Sequence, residues 1–266
     1  MLRWFKADLH IHTVLSPCAD LLMGPKNIIT RAQEIGLHII AITDHNSSEN
    51  VEGVIKAAAG TRIQIIPGME LTTREEVHLL CLFHELEHLV TFQQIVTQHT
   101  PPGENDPDFF GPQYIVNENN EIIKEDRRLL ILSTDIPIQQ AIHLVQAHAG
   151  MVIPAHMDRK TYSLVNQLGF LPPASKFPAL EISWEGKMDN LLKQYPELGR
   201  FPFIRSSDAH DTREMGRGFT YFYLEKPTLA EITMAFYEEN GRKLKSDQIF
   251  SFSHLVENVY SDFYYS

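Results

Sequence analysis

Eight short stretches of near-continuous apolar residues punctuate the chain: FKADLHI (5–11), LHIIAIT (37–43), IQIIPGM (63–69), VHLLCLF (77–83), GMVIPAH (150–156), ALEISW (179–184), FPFIRSS (201–207) and FTYFYL (219–224). Each has the length of a strand, and the lack of strict apolar–polar alternation predicts burial on both faces, as in a parallel sheet covered by helices. Helical patterns lie between them at 25–36, 49–59, 136–149 and 227–240. Pro25 opens the first, and Gly36, Gly60 and Gly241 follow three of the ends, which is the expected punctuation. Strands alternating with helices predict an α/β fold, either a (β/α) barrel or a doubly wound sheet. Residues 100–135 break the rhythm with Pro, Gly, Asn and acidic residues, and QYIVNENNEII within them predicts a hairpin turning around Asn117 to Asn120. This segment reads as an insertion in one domain spanning 1–266, either a lid or a surface excursion. The aromatic tail FSFSHLVENVYSDFYYS suits docking on the barrel or on another subunit of a homo-oligomer.

Composition narrows the class. With 266 residues, 43% of them hydrophobic, the chain can bury a sizeable core. A net charge of -11 argues against a nonspecific grip on nucleic acid, which depends on basic side chains neutralising phosphates. The expectation is therefore no stable nucleic-acid binding, while a small phosphorylated ligand is not excluded, because bound cations can supply positive charge locally. Cys18 and Cys81 are the only cysteines, too few for a disulfide scaffold. No signal peptide or membrane-spanning run is visible, so the chain reads as soluble and cytoplasmic.

Chemistry concentrates at the strand ends. Asp8, His10 and His12 are spaced two apart, which on a regular strand places them on one face. Alone, such a pair of histidines is weak evidence for a metal. Other strands add Asp44 and His45, Glu70, His78, His156, and Asp208 with His210. In parallel α/β folds the carboxyl ends of strands build sites, so imidazoles and carboxylates gather at one rim. Any one of these residues has an ordinary structural alternative, such as helix capping by Asp208 or a satisfied core position for His156.

The motifs DLHIHT, AITDH, GMEL, PAH and SDAHD, in this order between residues 6 and 213, resemble those of the PHP (polymerase and histidinol phosphatase) family of metal-dependent phosphoesterases. The resemblance implies a distorted (β/α)7 TIM-like barrel binding two or three divalent ions. It implies one ion on His10, His12, Glu70 and Asp208, and a second sharing Glu70 with His78 and His156. A third would take His45, His210 and a ligand from the segment after the first histidine pair. There the chain departs from the family's HTxxSDG: Pro17 replaces the Asp, and Asp20 is the chosen substitute, with Cys18 as the alternative. The mixed imidazole and carboxylate set suits Mn, Fe or Zn. Asp8 and Asp44 are assigned to orienting imidazoles.

The implied reaction is hydrolysis of a small phosphorylated substrate, a phosphomonoester or nucleotide, by a hydroxide bridging two ions. Asp208 and His210 are the catalytic candidates, and Arg159 and Arg213 lie where either can hold a phosphate bidentately. Alternatives are an amidohydrolase-like hydrolase, though no strand-end lysine stands out, and a metal-binding regulatory domain without catalysis. FHELEH (83–88) also matches the zinc-protease signature, with His84 and His88 as ligands, but that motif must lie within a helix.

Overall fold

The computed structural model describes residues 1–172 and 177–246, and all eight apolar stretches contain strands in it. In chain order the larger elements are β1 (Arg3–Ile11), α1 (Pro25–Glu34), β2 (Ile39–Ile42), α2 (Val51–Ala57), β3 (Gln64–Thr72), β4 (His78–Phe83), α3 (Leu86–Gln98) and α4 (Pro107–Phe110). The hairpin strands β5 (Tyr114–Val116) and β6 (Ile122–Glu125) follow, then α5 (Ile138–Ala147), β7 (Gly150–Pro154), α6 (Leu164–Leu168) and β8 (Leu180–Ile182). The described part ends with α7 (Met188–Gln194), β9 (Phe203–Arg205), β10 (Thr220–Leu224), α8 (Leu229–Phe236) and β11 (Lys243–Ser246). The aromatic tail, on which docking and oligomer formation were expected, lies outside the described residues. No helix among the described residues is long and apolar enough to cross a membrane.

Seven strands form one sheet in the order β11-β10-β1-β2-β3-β4-β7, and β8 pairs with β9. Single backbone hydrogen bonds join the pair to both sides of the larger sheet: Met157 N–H to the Glu181 carbonyl (2.8 Å) and His12 N–H to the Ala209 carbonyl (3.0 Å). The alternation of side chains explains the unbroken hydrophobicity. In β2, Ile39 and Ala41 join an inner cluster with Phe5, Leu82, Ile153 and Ile204, whereas Ile40 and Ile42 face an outer cluster packed against helices.

The regular parallel alternation expected from the strand–helix rhythm is broken at β4. It runs antiparallel to both β3 and β7 and follows β3 after a short turn with no helix between. The antiparallel register pairs His78, the first residue of β4, with Thr72 at the end of β3. A residue at the start of a strand thus reaches the rim formed by the ends of its neighbours. A second irregularity lies in β1, whose register with β2 shifts between Asp8 and Ile11. Leu9 packs in the inner cluster but Ile11 in the outer one, so the simple alternation that put Asp8 on the face of His10 and His12 does not hold.

Asn46 ties the long 100–135 segment to this rim. Fully buried at positive φ (48°), it donates through Nδ2 to the carbonyls of Leu130 (2.9 Å) and Leu132 (2.8 Å) and accepts from Thr72 N–H (2.8 Å). Replacing it by alanine removes the partner of two buried backbone groups and of the part-buried Leu132 carbonyl, a buried group costing about 1–3 kcal/mol when left unpaired. Asn46→Ala is expected to lower the unfolding free energy by about 3 kcal/mol, read from urea titration of the full chain.

Candidate metal centre

Strand ends deliver the polar groups, and the strands hold them still. His10 and His12 leave the end of β1, His45 follows β2, Glu70 sits late in β3, and His78 opens β4. His156 follows β7, and Asp208 and His210 follow β9. His10, His12, Glu70, Asp208 and His156 are all buried. His156 (φ 29°) and Asp208 (φ 51°) adopt left-handed backbone, a conformation non-glycine residues hold only when the surroundings impose it.

Three groups of donors lie close enough to share an ion: His10, His12, Glu70 and Asp208; His45, Glu70 and His78; and His12, His45 and His210. In the first, His10 Nε2 and His12 Nε2 are 3.2 Å apart, and each lies 3.1–3.3 Å from a carboxylate oxygen of Glu70 and from Asp208 Oδ1. Donors about 2.0–2.2 Å from a common zinc ion in tetrahedral array are separated by about 3.3 Å. In the second group, His45 Nδ1 and His78 Nδ1 lie 3.0 and 2.8 Å from Glu70 oxygens, yet neither makes a hydrogen bond. Nitrogens that approach a carboxylate closely without bonding to it are aimed at a shared point, so the donor set fits metal ions. His156 Nε2, 3.3 Å from Glu70 Oε1, stands beside this group.

Charge is finely balanced. Burial alone would favour the neutral carboxyl of Glu70, but His78, His10 and His45 hold it well below the usual carboxylate range. Burial likewise opposes the charge of Asp208, and His10 and His12 outweigh it. Against burial, Asp208 and Glu70 push His10 well up and His12 up to about 9. Burial dominates elsewhere, pulling His78 down to about 4 and, with the neighbouring positive charge of His12, His210 down to about 3. At neutral pH His210 therefore offers a lone pair rather than a proton.

The residues behind the donors were only partly legible. Asp44 acts on His12 indirectly: it accepts from Ser16 Oγ (2.7 Å), and Ser16 meets His12 Nδ1 (2.9 Å). Asp8 touches no imidazole; it accepts from the backbone N–H groups of Ser207 (2.9 Å) and Gly216 (3.2 Å), pinning the loop that carries Asp208 and His210, and burial pushes its carboxyl up to about 6. Glu181 was missed. Buried in β8, it meets His10 Nδ1 (3.1 Å) and accepts from His156 N–H (3.0 Å). Its one sequence signal is a carboxylate inside the apolar run ALEIS.

Asp20 is not brought to the donors. Its N–H reaches the His210 carbonyl (2.7 Å), but its exposed carboxylate caps Leu22 N–H (2.8 Å), because the turn after Pro17 points it outward. Cys18 stays solvent-accessible; the protein around it and the charges of Glu70 and Asp208 push its thiol up, disfavouring the thiolate that binds metals. Arg159 reaches Asp208 Oδ2 (2.6 Å), whereas Arg213 is paired with Asp211 and largely exposed. His84 precedes α3 while His88 lies within it, so the two share no helix face and the protease alternative fails.

A family model described as PHP domain matches residues 8–166. The 5'-3' exoribonuclease Rnm of Salmonella typhimurium is 31% identical over 86 residues, 30% of this chain and 28% of the relative. The protein YqxK of Bacillus subtilis is 22% identical over 251 residues, covering 90% of this chain and 63% of its own length. Among solved structures, the lesion-specific endonuclease PfuEndoQ from Pyrococcus furiosus superposes with a TM-score of 0.70 at 21% identity, covering 91% of this chain and 58% of the endonuclease. The chain thus spans less than two thirds of each of these relatives.

These likenesses overturn the expectation of a small phosphorylated substrate and no nucleic acid, since the named nucleases act on nucleic acids. The error lay in treating net charge as a surface property. Several of the carboxylates it counts, Asp8, Asp44, Glu70, Glu181 and Asp208 among them, are buried with hydrogen-bonding or imidazole partners.

Because bound imidazole must be neutral, a cation entering the first group displaces the proton of His12. With that pKa raised to about 9, metal affinity is expected to climb with pH from 6.5 and level off above 9. Calorimetric titration of Mn2+ or Zn2+ in buffers of different ionisation enthalpy should register proton release below that plateau.

Proposed function

The chain belongs to the PHP domain family, and on that footing we propose that it is a metal-dependent hydrolase of phosphodiester bonds in nucleic-acid strands. The observation that carries this reading is the buried quartet of His10, His12, Glu70 and Asp208, with Glu70 shared by a second set of imidazoles. We read the larger sheet together with β8 and β9 as the wall of a distorted seven-stranded barrel, supported by the backbone bonds of Met157 and His12.

In this reading one ion is held by His10, His12, Glu70 and Asp208, and a second by Glu70, His45 and His78 with His156 beside them. His210 stands beside His12 and His45, whose nitrogens serve the first two ions in this reading, so with Asp20 left out no third ion is assigned. The donor mixture suits Mn, Fe or Zn. Such ions, when bound, lower the pKa of water and offset charge on a phosphoryl group. The protein's own part is positioning. Glu181 keeps the His10 ring turned with Nε2 inward, and the Asp44–Ser16 pair does the same for His12. Arg159, partly exposed and reaching into the site at Asp208, is placed to exchange that carboxylate for a phosphate oxygen. His210, uncharged at the open side and held by Nδ1 on the Asp208 carbonyl, leaves Nε2 as a hydrogen-bond acceptor there.

His10→Ala and Asp208→Ala are each expected to reduce hydrolysis of a single-stranded oligonucleotide by more than about 1,000-fold, by removing charge stabilisation at the reacting phosphate. Circular dichroism should remain near native. Full turnover in either variant would refute the assignment. Glu181→Gln, which keeps the shape but weakens the hold on His10, should loosen metal binding by about 10–100-fold, measured by competition with a chromogenic chelator.

A further inference from the structure

Two aromatic side chains stand at the rim with more than a third of their surface exposed: Tyr162 (38%) and Trp184 (39%). Neither belongs to the hydrophobic clusters. The Tyr162 ring lies flat on His78, centroids 4.3 Å apart and planes 16° from parallel. Its backbone sits at φ 60°, a conformation a bulky residue rarely adopts. Its carbonyl accepts from His78 N–H (2.9 Å), so strand β4 fixes the ring's position. Trp184 follows β8, and its carbonyl is gripped by the buried Arg205 (2.8 Å). The Arg217 guanidinium lies 5.3 Å from its ring centroid and pairs with Glu214, which accepts from His210 N–H.

Tyr162 covers His78 of the donor set, and Trp184 is linked to His210 through Arg217 and Glu214. Tyr162 is three residues beyond Arg159, which touches Asp208, and six beyond His156. The two rim segments are bonded to each other, with Ser183 N–H donating to Asp158 Oδ1 (2.7 Å). Each ring is backed, by His78 or by Arg217, and each keeps more than a third of its surface exposed. Aromatic platforms of this kind hold unpaired nucleobases, and stacking needs no net positive charge.

We propose that Tyr162 and Trp184 are stacking platforms for two nucleobases that flank the phosphodiester at the metal centre, so that the site takes an unpaired stretch of strand. This rests on the reading of the chain as a phosphodiester hydrolase. The test uses the metal-loaded full chain and two single-stranded oligonucleotides, one fully base-bearing and one carrying abasic residues on both sides of the scissile bond. For the native protein, KM for the abasic strand should exceed that for the base-bearing strand by about tenfold or more. In Tyr162→Gly, which removes the ring and suits the positive φ, and in Trp184→Ala, the ratio should fall towards one. Tyr162→Phe should keep it.

An unchanged ratio in both ring-deleting variants overturns the proposal while leaving strand hydrolysis standing. So does loss of the ratio in Tyr162→Phe, which would assign the effect to the hydroxyl. A drop in bound metal in Tyr162→Gly, measured by mass spectrometry, would make the ring a cover for His78 and overturn its assignment. If the native protein cleaves neither strand but hydrolyses a phosphomonoester, the underlying reading fails, and the platforms fail with it.

Discussion

Everything at the rim depends on keeping the carboxylate of Glu70 ionised where water cannot reach it. A buried charge of this kind persists only if it is surrounded by compensating groups. Here the compensation is a shell of imidazoles, His10, His12, His45, His78 and His156, drawn from the ends of three strands and the start of the reversed one. The shell explains why these strands must meet at one level. A shift of one residue in any of them would turn its imidazole to the opposite face and leave Glu70 short of a partner.

The reversal of β4 follows from the same requirement. A parallel strand at that position would present its first residue at the far end of the sheet. Running antiparallel, β4 offers His78 directly beside Thr72, two residues from Glu70, after only a tight turn. The cost is a missing crossover helix between β3 and β4; α3, which follows β4, packs against both strands through Leu89, Phe92 and Val96.

Much of this was legible in the residues. The apolar runs located every strand of the large sheet except β11, because burial on both faces demands continuous hydrophobicity. The donors were legible as a set: each alone has a structural alternative, but imidazoles and carboxylates beside the ends of so many apolar runs point to one rim. What escaped was whatever depended on local geometry rather than residue type. The register shift in β1 moved Asp8 off the face of His10, and nothing in the spacing of DLHIH signals it. Asp20 has the right chemistry, but the turn after Pro17 uses its carboxylate for Leu22. Glu181 lies in the middle of a strand, where a carboxylate reads as an interruption, although it orients His10 from behind. Net charge misled most, because a sum over the chain carries no information about which charges meet solvent.

Glu181 has a role wider than orienting one ring. With one carboxylate it steadies the side chain of His10 and the backbone of His156, and both imidazoles approach the same oxygen of Glu70, Oε1. Both contacts hang on one side chain, so a disturbance in β8 is felt at two points of the site at once.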